Sequence, residues 1–142
     1  MNIYFAGSIK GGREKQAEYK SLIEYLGQFG RVLTEHIGNE NVQIQNEEQF
    51  SVNEDEHVFI RDVKWINKCD VIVAEVSVPS LGVGYEIGYA ESIGKIVICL
   101  YDINADKQLS FMLSGNNNNT IIKYDNLENA KKALKELLKD IK

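Results

Sequence analysis

The chain has 142 residues, of which 44% are hydrophobic and 26% are charged, and its formal net charge is −5. This length can bury the core of one domain, and the negative charge argues against a general nucleic-acid-binding surface. No apolar run approaches the roughly 18 residues that a membrane span needs, and the first residues lack the basic segment of a secretory signal. We therefore expect a single cytoplasmic domain over residues 1–142.

Apolar runs and helical spacing alternate along the first half of the chain. In chain order they predict a strand at 2–6, a loop at 7–12, a helix from 13 to about 29, a strand at 31–36 and a polar segment without clear period at 38–54. Gly30 is expected to end the first helix as a C-terminal glycine.

The second half continues the same alternation. It predicts a helix at 55–68, a strand at 70–76, a helix at 82–94, a strand at 95–101, a short helical turn within 106–114, a turn at 116–119, a strand at 120–124 and an amphipathic helix at 127–141. Five strands interleaved with helices predict an α/β fold with a doubly wound parallel sheet, flavodoxin-like or Rossmann-like, covered by helices on both faces.

The cysteines and histidines do not form a metal-binding pattern. Cys69 and Cys99 have neither metal-ligand nor CxxC spacing, and the two histidines are not clustered. We expect both thiols to be buried and predict no metal site.

Two acidic residues interrupt the apolar faces of their predicted helices. Asp62 lies in the middle of the apolar stripe of helix 55–68, and Glu86 lies on the apolar face of helix 82–94, in what is predicted to be its first turn. A single buried acidic residue could cap a loop or pair with a basic residue, because an unpaired buried carboxylate is energetically costly. Two acids near the carboxyl ends of strands favour a pair of the kind that cleaves glycosidic bonds.

The loop after the first strand, 7–13, combines glycines with Lys10 and Arg13. Backbone N–H groups and a helix start can bind an anion there, and Ser80 could add a second donor. The loop is neither GxGxxG nor GxxxxGK[ST], so it does not predict a dinucleotide or a nucleoside triphosphate. A glycine-rich turn with solvated basic residues is the alternative.

Four segments resemble those of a known enzyme group. They are Tyr4–Glu14, Leu33–His36, Asp70–Val76 and Pro79–Gly88. Together they closely resemble the 2'-deoxynucleoside 5'-phosphate N-hydrolases of the nucleoside 2-deoxyribosyltransferase superfamily.

The resemblance implies a homodimeric enzyme without metal or cofactor. It would hydrolyse the N-glycosidic bond of deoxynucleoside monophosphates to free base and 2-deoxyribose 5-phosphate. Glu86 matches the nucleophile that forms a covalent deoxyribosyl ester, Asp62 matches the acid that assists at the sugar or base, and Tyr4 matches the phenol that holds the nucleophile. We expect Tyr4 to help keep Glu86 ionised, and Asp62, more enclosed by apolar neighbours, to hold a proton for the departing base.

The resemblance also implies a substrate- and phosphate-binding set. It consists of Gly7, Ser8, Ile9, Lys10, Gly11, Gly12, Arg13, His36, Ser80, Gly82, Ser110, Phe111 and Met112. Ser110 matches a serine that reaches into the neighbouring subunit's site, and Lys10 replaces an arginine that is usual in the animal enzymes. His36 could instead be a strand-end residue with only local hydrogen bonds, and Trp65 and Tyr85 are expected in the core rather than against the base.

Two other functions stay open from the sequence. Transferases of the superfamily typically have Asp at the position of Ser80 and Asn at the position of Ser110, so the two serines favour a hydrolase acting on a nucleotide. A non-catalytic nucleotide-binding module is the other alternative, although binding alone would not need Glu86.

Overall fold

A five-stranded parallel sheet organises the chain, whose computed structural model describes residues 1–9, 15–35 and 53–141. The strands are β1 (Asn2–Ala6), β2 (Arg31–Val32), β3 (Val71–Glu75), β4 (Ile96–Asp102) and β5 (Thr120–Tyr124). The helices are α1 (Gln16–Leu26), α2 (Glu54–Lys68), α3 (Leu81–Ser92), α4 (Phe111–Ser114) and α5 (Leu127–Leu138). The strand order β2-β1-β3-β4-β5 confirms the predicted doubly wound fold.

Each strand divides its side chains between two hydrophobic cores, because successive residues point to opposite faces. On β3, Val71 and Val73 join the core that includes residues of α1 and α5. Ile72 and Ala74 join the core that includes residues of α2 and α3. The sheet is therefore covered on both faces, as parallel sheets generally are.

The strand order places the switch point of the fold between β1 and β3. These neighbours pair in parallel, with Ala6 beside Ala74 at their carboxyl ends. The chain leaves β1 for the α1 face and leaves β3 for the α3 face, which opens a crevice where ligands of such sheets bind. Both cysteines are buried, as predicted.

The second strand is shorter than predicted, since only Arg31 and Val32 pair with β1. The reason is the buried residue Thr34, whose side chain, rather than its backbone, makes the hydrogen bonds to β1. Its hydroxyl accepts from the Phe5 N–H at 2.8 Å and donates to the Phe5 carbonyl at 2.7 Å. Residue 36 and the polar segment 38–52 lie outside the described residues.

The prediction that Gly30 ends the first helix is wrong. The helix ends at Leu26 with Gly27 as its C-cap, and among the described residues only Gly94 has a positive φ. Gly30 instead allows two backbone segments to pass close to each other, since a Cβ there would lie 2.2 Å from the Met1 carbonyl oxygen. The neighbouring Arg31 N–H donates to that same oxygen at 2.9 Å.

The last two helices are also shorter than predicted. Residues 106–110 are not helical, and the Tyr101 hydroxyl takes the Lys107 carbonyl as its hydrogen-bond acceptor at 2.8 Å. The final helix stops at Leu138, yet Ile141 still packs against the α1 and α5 core. Within the described ranges, no helix is both long and apolar enough to cross a membrane.

Candidate active site

Tyr4 lies at the centre of the site because of its position in β1. Its neighbours Ile3 and Phe5 face the α1 and α5 core, so Tyr4 faces α2 and α3 and is only 1% exposed. Its hydroxyl faces both Asp62 and Glu86 and acts on the pKa of both carboxyl groups, lowering each. A phenol carries one proton and can donate it to one carboxylate at a time. Tyr4 can therefore stabilise the ionised form of only one of the two carboxyl groups at a time.

Two well-capped helices hold the acids against Tyr4. Helix α2 begins after Asn53, whose side chain accepts from the Glu56 N–H at 2.8 Å. Helix α3 begins after Ser80, whose hydroxyl accepts from the Val83 N–H at 3.3 Å. Such caps satisfy otherwise unpaired N–H groups and fix where a helix starts.

The position of Glu86 differs in detail from the prediction. Since α3 starts at Leu81, Glu86 lies in the second helical turn rather than the first, and it is partly buried. Its neighbours Val83 and Ile87 are buried in the core, as the spacing predicts. The carboxylate therefore lies at the border between core and solvent, where a ligand can reach it.

Arg61 is the residue that the sequence reasoning missed. Its Nε donates to Asp62 Oδ1 at 2.9 Å, and both side chains are largely buried. Its guanidinium carbon lies 4.8 Å from the centre of the Trp65 ring, within the range of a cation–π interaction. The signal was available, because Arg61 and Trp65 are four residues apart and so face each other on a helix.

The electrostatics of the pair bear on which acid can hold a proton. Burial and the neighbouring charge of Asp62 raise the pKa of Glu86 to about 7, against the opposing effects of Tyr4 and Arg61. Burial also raises the pKa of Asp62, but the Arg61 ion pair opposes that rise. Asp62 is thus ion-paired rather than enclosed by apolar groups alone. The pKa of both carboxyl groups is therefore raised, most clearly that of Glu86.

A cavity of about 630 Å³ opens beside the two acids, between α2 and α3. This volume is typical of small-molecule sites, which span about 300–1,000 Å³. Its wall is largely apolar and aromatic and is formed by Val58, Phe59, Val63, Ile66 and Tyr85. Asp62 and Glu86 also line it, so a ligand in the cavity meets both carboxylates and a hydrophobic wall.

Tyr85 is not a core residue, contrary to the prediction. It is 57% exposed, and its ring centre lies 6.2 Å from that of Phe59 and 6.5 Å from that of Tyr89, whose ring plane is nearly parallel to its own. An exposed aromatic wall of this kind can stack on a flat heterocycle. Trp65 packs against the α2 and α3 core, as expected.

The predicted phosphate-binding residues fall into two groups. Gly7 and Ser8 are buried directly after β1, and a Cβ on Gly7 would come within 3.0–3.3 Å of the Tyr19 ring. Packing against Tyr19 therefore favours glycine at position 7, whether or not an anion binds there. Ser80 follows the neighbouring strand β3, so the two segments leave adjacent strand ends. Lys10, Gly11, Gly12, Arg13 and His36 lie outside the described residues.

The remaining predicted residues surround the start of α3. Gly82 lines the cavity with the acids. Ser80, Ser110 and Met112 line a second groove of about 650 Å³ on the other side of α3, and Ser110 is the N-cap of α4. Within the described residues of one chain, Ser110, Phe111 and Met112 are therefore not among the residues that line the cavity with Glu86.

The role of Tyr4 can be tested on the free protein. Replacing Tyr4 by Phe removes a hydrogen bond that lowers the pKa of Glu86, so we expect that pKa to rise above its value of about 7, by roughly one unit. The measurement is an NMR titration of ¹³C-labelled glutamate carboxyl groups. Tyr19→Phe, in the other core, is the matched control and should leave the Glu86 titration in place. An unchanged titration in Tyr4→Phe would contradict the contact.

The fold and the site together define a class of protein. It is a doubly wound α/β domain with a tyrosine-bridged carboxylate pair beside its topological switch point, of the type suited to glycosidic-bond chemistry. The sequence model of the nucleoside 2-deoxyribosyltransferase family matches residues 3–134. The chain belongs to this family.

Individual relatives agree with that assignment. The chain is 43% identical over 114 residues to the 5-hydroxymethyl-dUMP N-hydrolase of Mus musculus, covering 80% of this chain and 65% of the mouse protein. It is 44% identical over 115 residues to the protein of the same name from Danio rerio, covering 81% and 78% of the two chains. The chain thus spans just under two thirds of the mouse protein.

A solved structure is similar in fold. It is the Clostridium botulinum CMP N-glycosidase BcmB, with a TM-score of 0.64 and 22% identity over 96% of this chain and 99% of that one. At this identity the likeness supports the fold alone.

Proposed function

We propose that this chain hydrolyses the N-glycosidic bond of 2'-deoxynucleoside 5'-monophosphates, releasing the base and 2-deoxyribose 5-phosphate. The observation that carries the proposal is the Tyr4-bridged pair of Asp62 and Glu86 beside an aromatic cavity. Relatives above 40% identity named as N-hydrolases of a deoxynucleotide support the substrate class. One domain over residues 1–142 carries the activity, and the expected cytoplasmic location stays a prediction.

Glu86 acts as the nucleophile in this proposal. Its ionised carboxylate attacks the anomeric carbon while the bond to the base breaks, and the electron pair of that bond leaves with the base. The product is a deoxyribosyl ester of Glu86, which water then hydrolyses to free the sugar phosphate and the carboxylate. The proton that the attacking water loses passes to Asp62, which has given its own to the base. A 2-deoxy sugar lacks the electron-withdrawing 2-hydroxyl, so its oxocarbenium-like transition state is reached without a Lewis acid.

Proton movement completes the cycle. A proton on Glu86 must leave before the attack, and the positive charge that develops on the sugar as the bond to the base breaks then stabilises the ionised carboxylate. The Tyr4 hydroxyl contacts both acids and offers a route by which that proton reaches Asp62. Asp62 then donates it to the departing base, and its ion pair with Arg61 steadies the carboxylate that remains.

The phosphate is proposed to bind where the ends of β1 and β3 meet. Gly7, Ser8 and Ile9 on one side and Ser80 on the other lie on segments that leave neighbouring strands. Lys10 and Arg13, which follow Ile9 in the sequence, are expected to supply the formal charge. Helix α3 begins at this point and adds the partial positive charge of its amino terminus. Ser80 carries no charge to repel a phosphate, which favours a nucleotide over a free nucleoside and hydrolysis over base transfer.

The direct test is an assay of base release. The protein is incubated with each deoxynucleoside monophosphate, its ribonucleotide and its dephosphorylated nucleoside, with and without an acceptor base, and products are separated by chromatography. We expect free base from at least one deoxynucleotide and no new nucleoside when acceptor base is present. Absence of free base from every monophosphate would overturn the proposal, and exchange of bases would make the enzyme a transferase.

A homodimer is part of the proposal, and the surface around α3 supports it. Leu81, Phe111 and Met112 are 97%, 76% and 83% exposed, and they lie at the starts of α3 and α4 beside the groove that contains Ser110. Gly84 and Gly88 leave open space on α3, since a Cβ at either position would meet nothing within 4 Å. Exposed apolar side chains beside an open helix face suit contact with a second copy.

Shared sites can be detected by mixing two inactive variants. If Ser110 acts in the partner's site, a dimer of one Ser110→Ala chain and one Glu86→Gln chain contains one complete site. Random mixing should then restore about a quarter of wild-type activity, where each variant alone has far less. Failure to restore activity in dimers shown to exchange subunits would remove Ser110 from the neighbouring site. Met112→Asp should give monomers in analytical ultracentrifugation, whereas Ile103→Asp, exposed outside the groove, should not.

A further inference from the structure

A second polar cluster lies at the carboxyl ends of β3, β4 and β5, on the sheet face opposite Tyr4. Its centre is Glu75, which is fully buried and faces the same side as Val71 and Val73. Buried acids without a role are rare, because an unsatisfied carboxylate is costly. The catalytic proposal does not use this residue.

Glu75 is connected through Ser77 to the neighbouring strand. The Ser77 hydroxyl donates to Glu75 Oε1, and the Ser77 N–H donates to the same oxygen at 3.1 Å. The Ser77 hydroxyl in turn accepts from the Asp102 N–H at 2.8 Å. Tyr124 adds a longer contact to Glu75 Oε1 at 3.4 Å. Ser77 is only 3% exposed, so these bonds are shielded from water.

The same cluster holds the amino end of α1. Lys15, the residue immediately before that helix, places its ammonium 3.0 Å from Asp102 Oδ2. Asp102 thus joins Lys15 through its side chain to Ser77 through its backbone N–H. The cluster connects the starts of α1 and of the segment that leads into α3.

The segment from Ser77 to Ser80 is short and stiff. Pro79 fixes its own φ and restricts the backbone of Val78 before it. Ser77 is anchored in the cluster, and Ser80 is fixed as the N-cap of α3. A shift at Ser77 is therefore passed on to Ser80 with few free torsions to absorb it.

We infer that Glu75 and Ser77 are positioning residues that set the place of Ser80 and hence the geometry of a phosphate-binding site at the start of α3. The inference rests on the proposed function for the identity of the phosphate-bearing substrate. The cluster itself is not expected to contact the substrate. Its effect is therefore expected in phosphate affinity rather than in the chemical step.

The test measures binding of inorganic phosphate by isothermal titration calorimetry, together with steady-state kinetics on a deoxynucleoside monophosphate. Ser77→Ala removes the hydroxyl that both Glu75 and Asp102 use, and we expect phosphate affinity to fall about tenfold. KM for the monophosphate should rise to a similar extent while kcat changes little. If the alanine variant does not fold, Ser77→Cys replaces it, because Cys is similar in size but forms weaker hydrogen bonds. The same loss of phosphate affinity is expected.

Ser21→Ala is the matched control. This hydroxyl accepts from Lys131 Nζ at 2.9 Å and joins α1 to α5 away from the strand ends, so its loss should leave phosphate affinity and KM unchanged. Wild-type affinity in folded Ser77→Ala or Ser77→Cys would overturn the inference, as would a wild-type protein that does not bind phosphate. Phosphate binding that depends on Ser77 in a protein that releases no base would support the inference and reject the proposed function.

Discussion

Replacing Glu86 by Gln is expected to reduce kcat for base release by about 10³-fold or more, since loss of a nucleophile leaves only binding and positioning effects. Gln has nearly the shape of Glu and can still contact the Tyr4 hydroxyl, so the cavity keeps its form. The measurement is single-turnover base release from the best deoxynucleotide. KM should change little, because Glu86 is assigned to the reaction and not to the phosphate.

The same substitution is expected to stabilise the fold at alkaline pH. The pKa of Glu86 rises from 4.5 to about 7 on folding, so between these values the folded state binds more protons than the unfolded state. Stability therefore falls as pH rises through this window. Glu86→Gln removes that loss and should be more stable by about 1–3 kcal/mol at pH 8. The difference should vanish near pH 4.5 in urea unfolding curves.

Glu91→Gln is the matched control on the same helix. Glu91 hydrogen-bonds to Asn116 and Asn118 at 2.7 and 3.0 Å and does not line the cavity with Asp62 and Glu86. Its replacement should leave kcat unchanged and should give no stabilisation at pH 8. If Glu86→Gln retained turnover, the nucleophile assignment would be wrong, whatever its effect on stability.

Most of the sheet could be predicted from the sequence, because its strands are buried on both faces. Uninterrupted apolar runs such as Val71–Ala74 and Val97–Leu100 are typical of parallel strands. The errors occurred where single contacts decide the backbone. Thr34 ends β2 by bonding Phe5 with its side chain, and Gly30 is required by the Met1 carbonyl. Neither contact is visible in a local pattern, since each joins residues about 29 positions apart.

The site residues could be predicted from the sequence where they interrupt the regular helical spacing of apolar residues. Asp62 and Glu86 stand out because acids occupy apolar helix faces, and the structure brings both to Tyr4. Arg61 did not stand out, because a basic residue beside an acid is ordinary on a solvated helix. The exposure of Tyr85 was missed for a related reason: α3 carries apolar residues on several sides, so helical spacing alone could not separate its core face from its exposed face.

Ser80→Asp is expected to change which substrate the enzyme accepts. Asp is as good an N-cap as Ser, so α3 should still begin at Leu81 with the Val83 N–H capped. The new carboxylate, however, would face the substrate's phosphate if that group binds at the start of α3. Like charges a few ångströms apart in a partly buried site repel by several kcal/mol before screening, so KM for the monophosphate should rise about 10²-fold.

Ser80→Asn separates charge from shape in this experiment. Asn matches Asp in size and also caps helices well, but it adds no charge. It should therefore raise KM for the monophosphate far less than Asp does, and the difference should shrink as salt screens the repulsion. The dephosphorylated nucleoside, which carries no phosphate to repel, should be affected equally by the two variants. An Asp variant that kept the monophosphate preference of the Asn variant would place the phosphate away from Ser80. Ser80 would then no longer explain a preference for a nucleotide over a nucleoside.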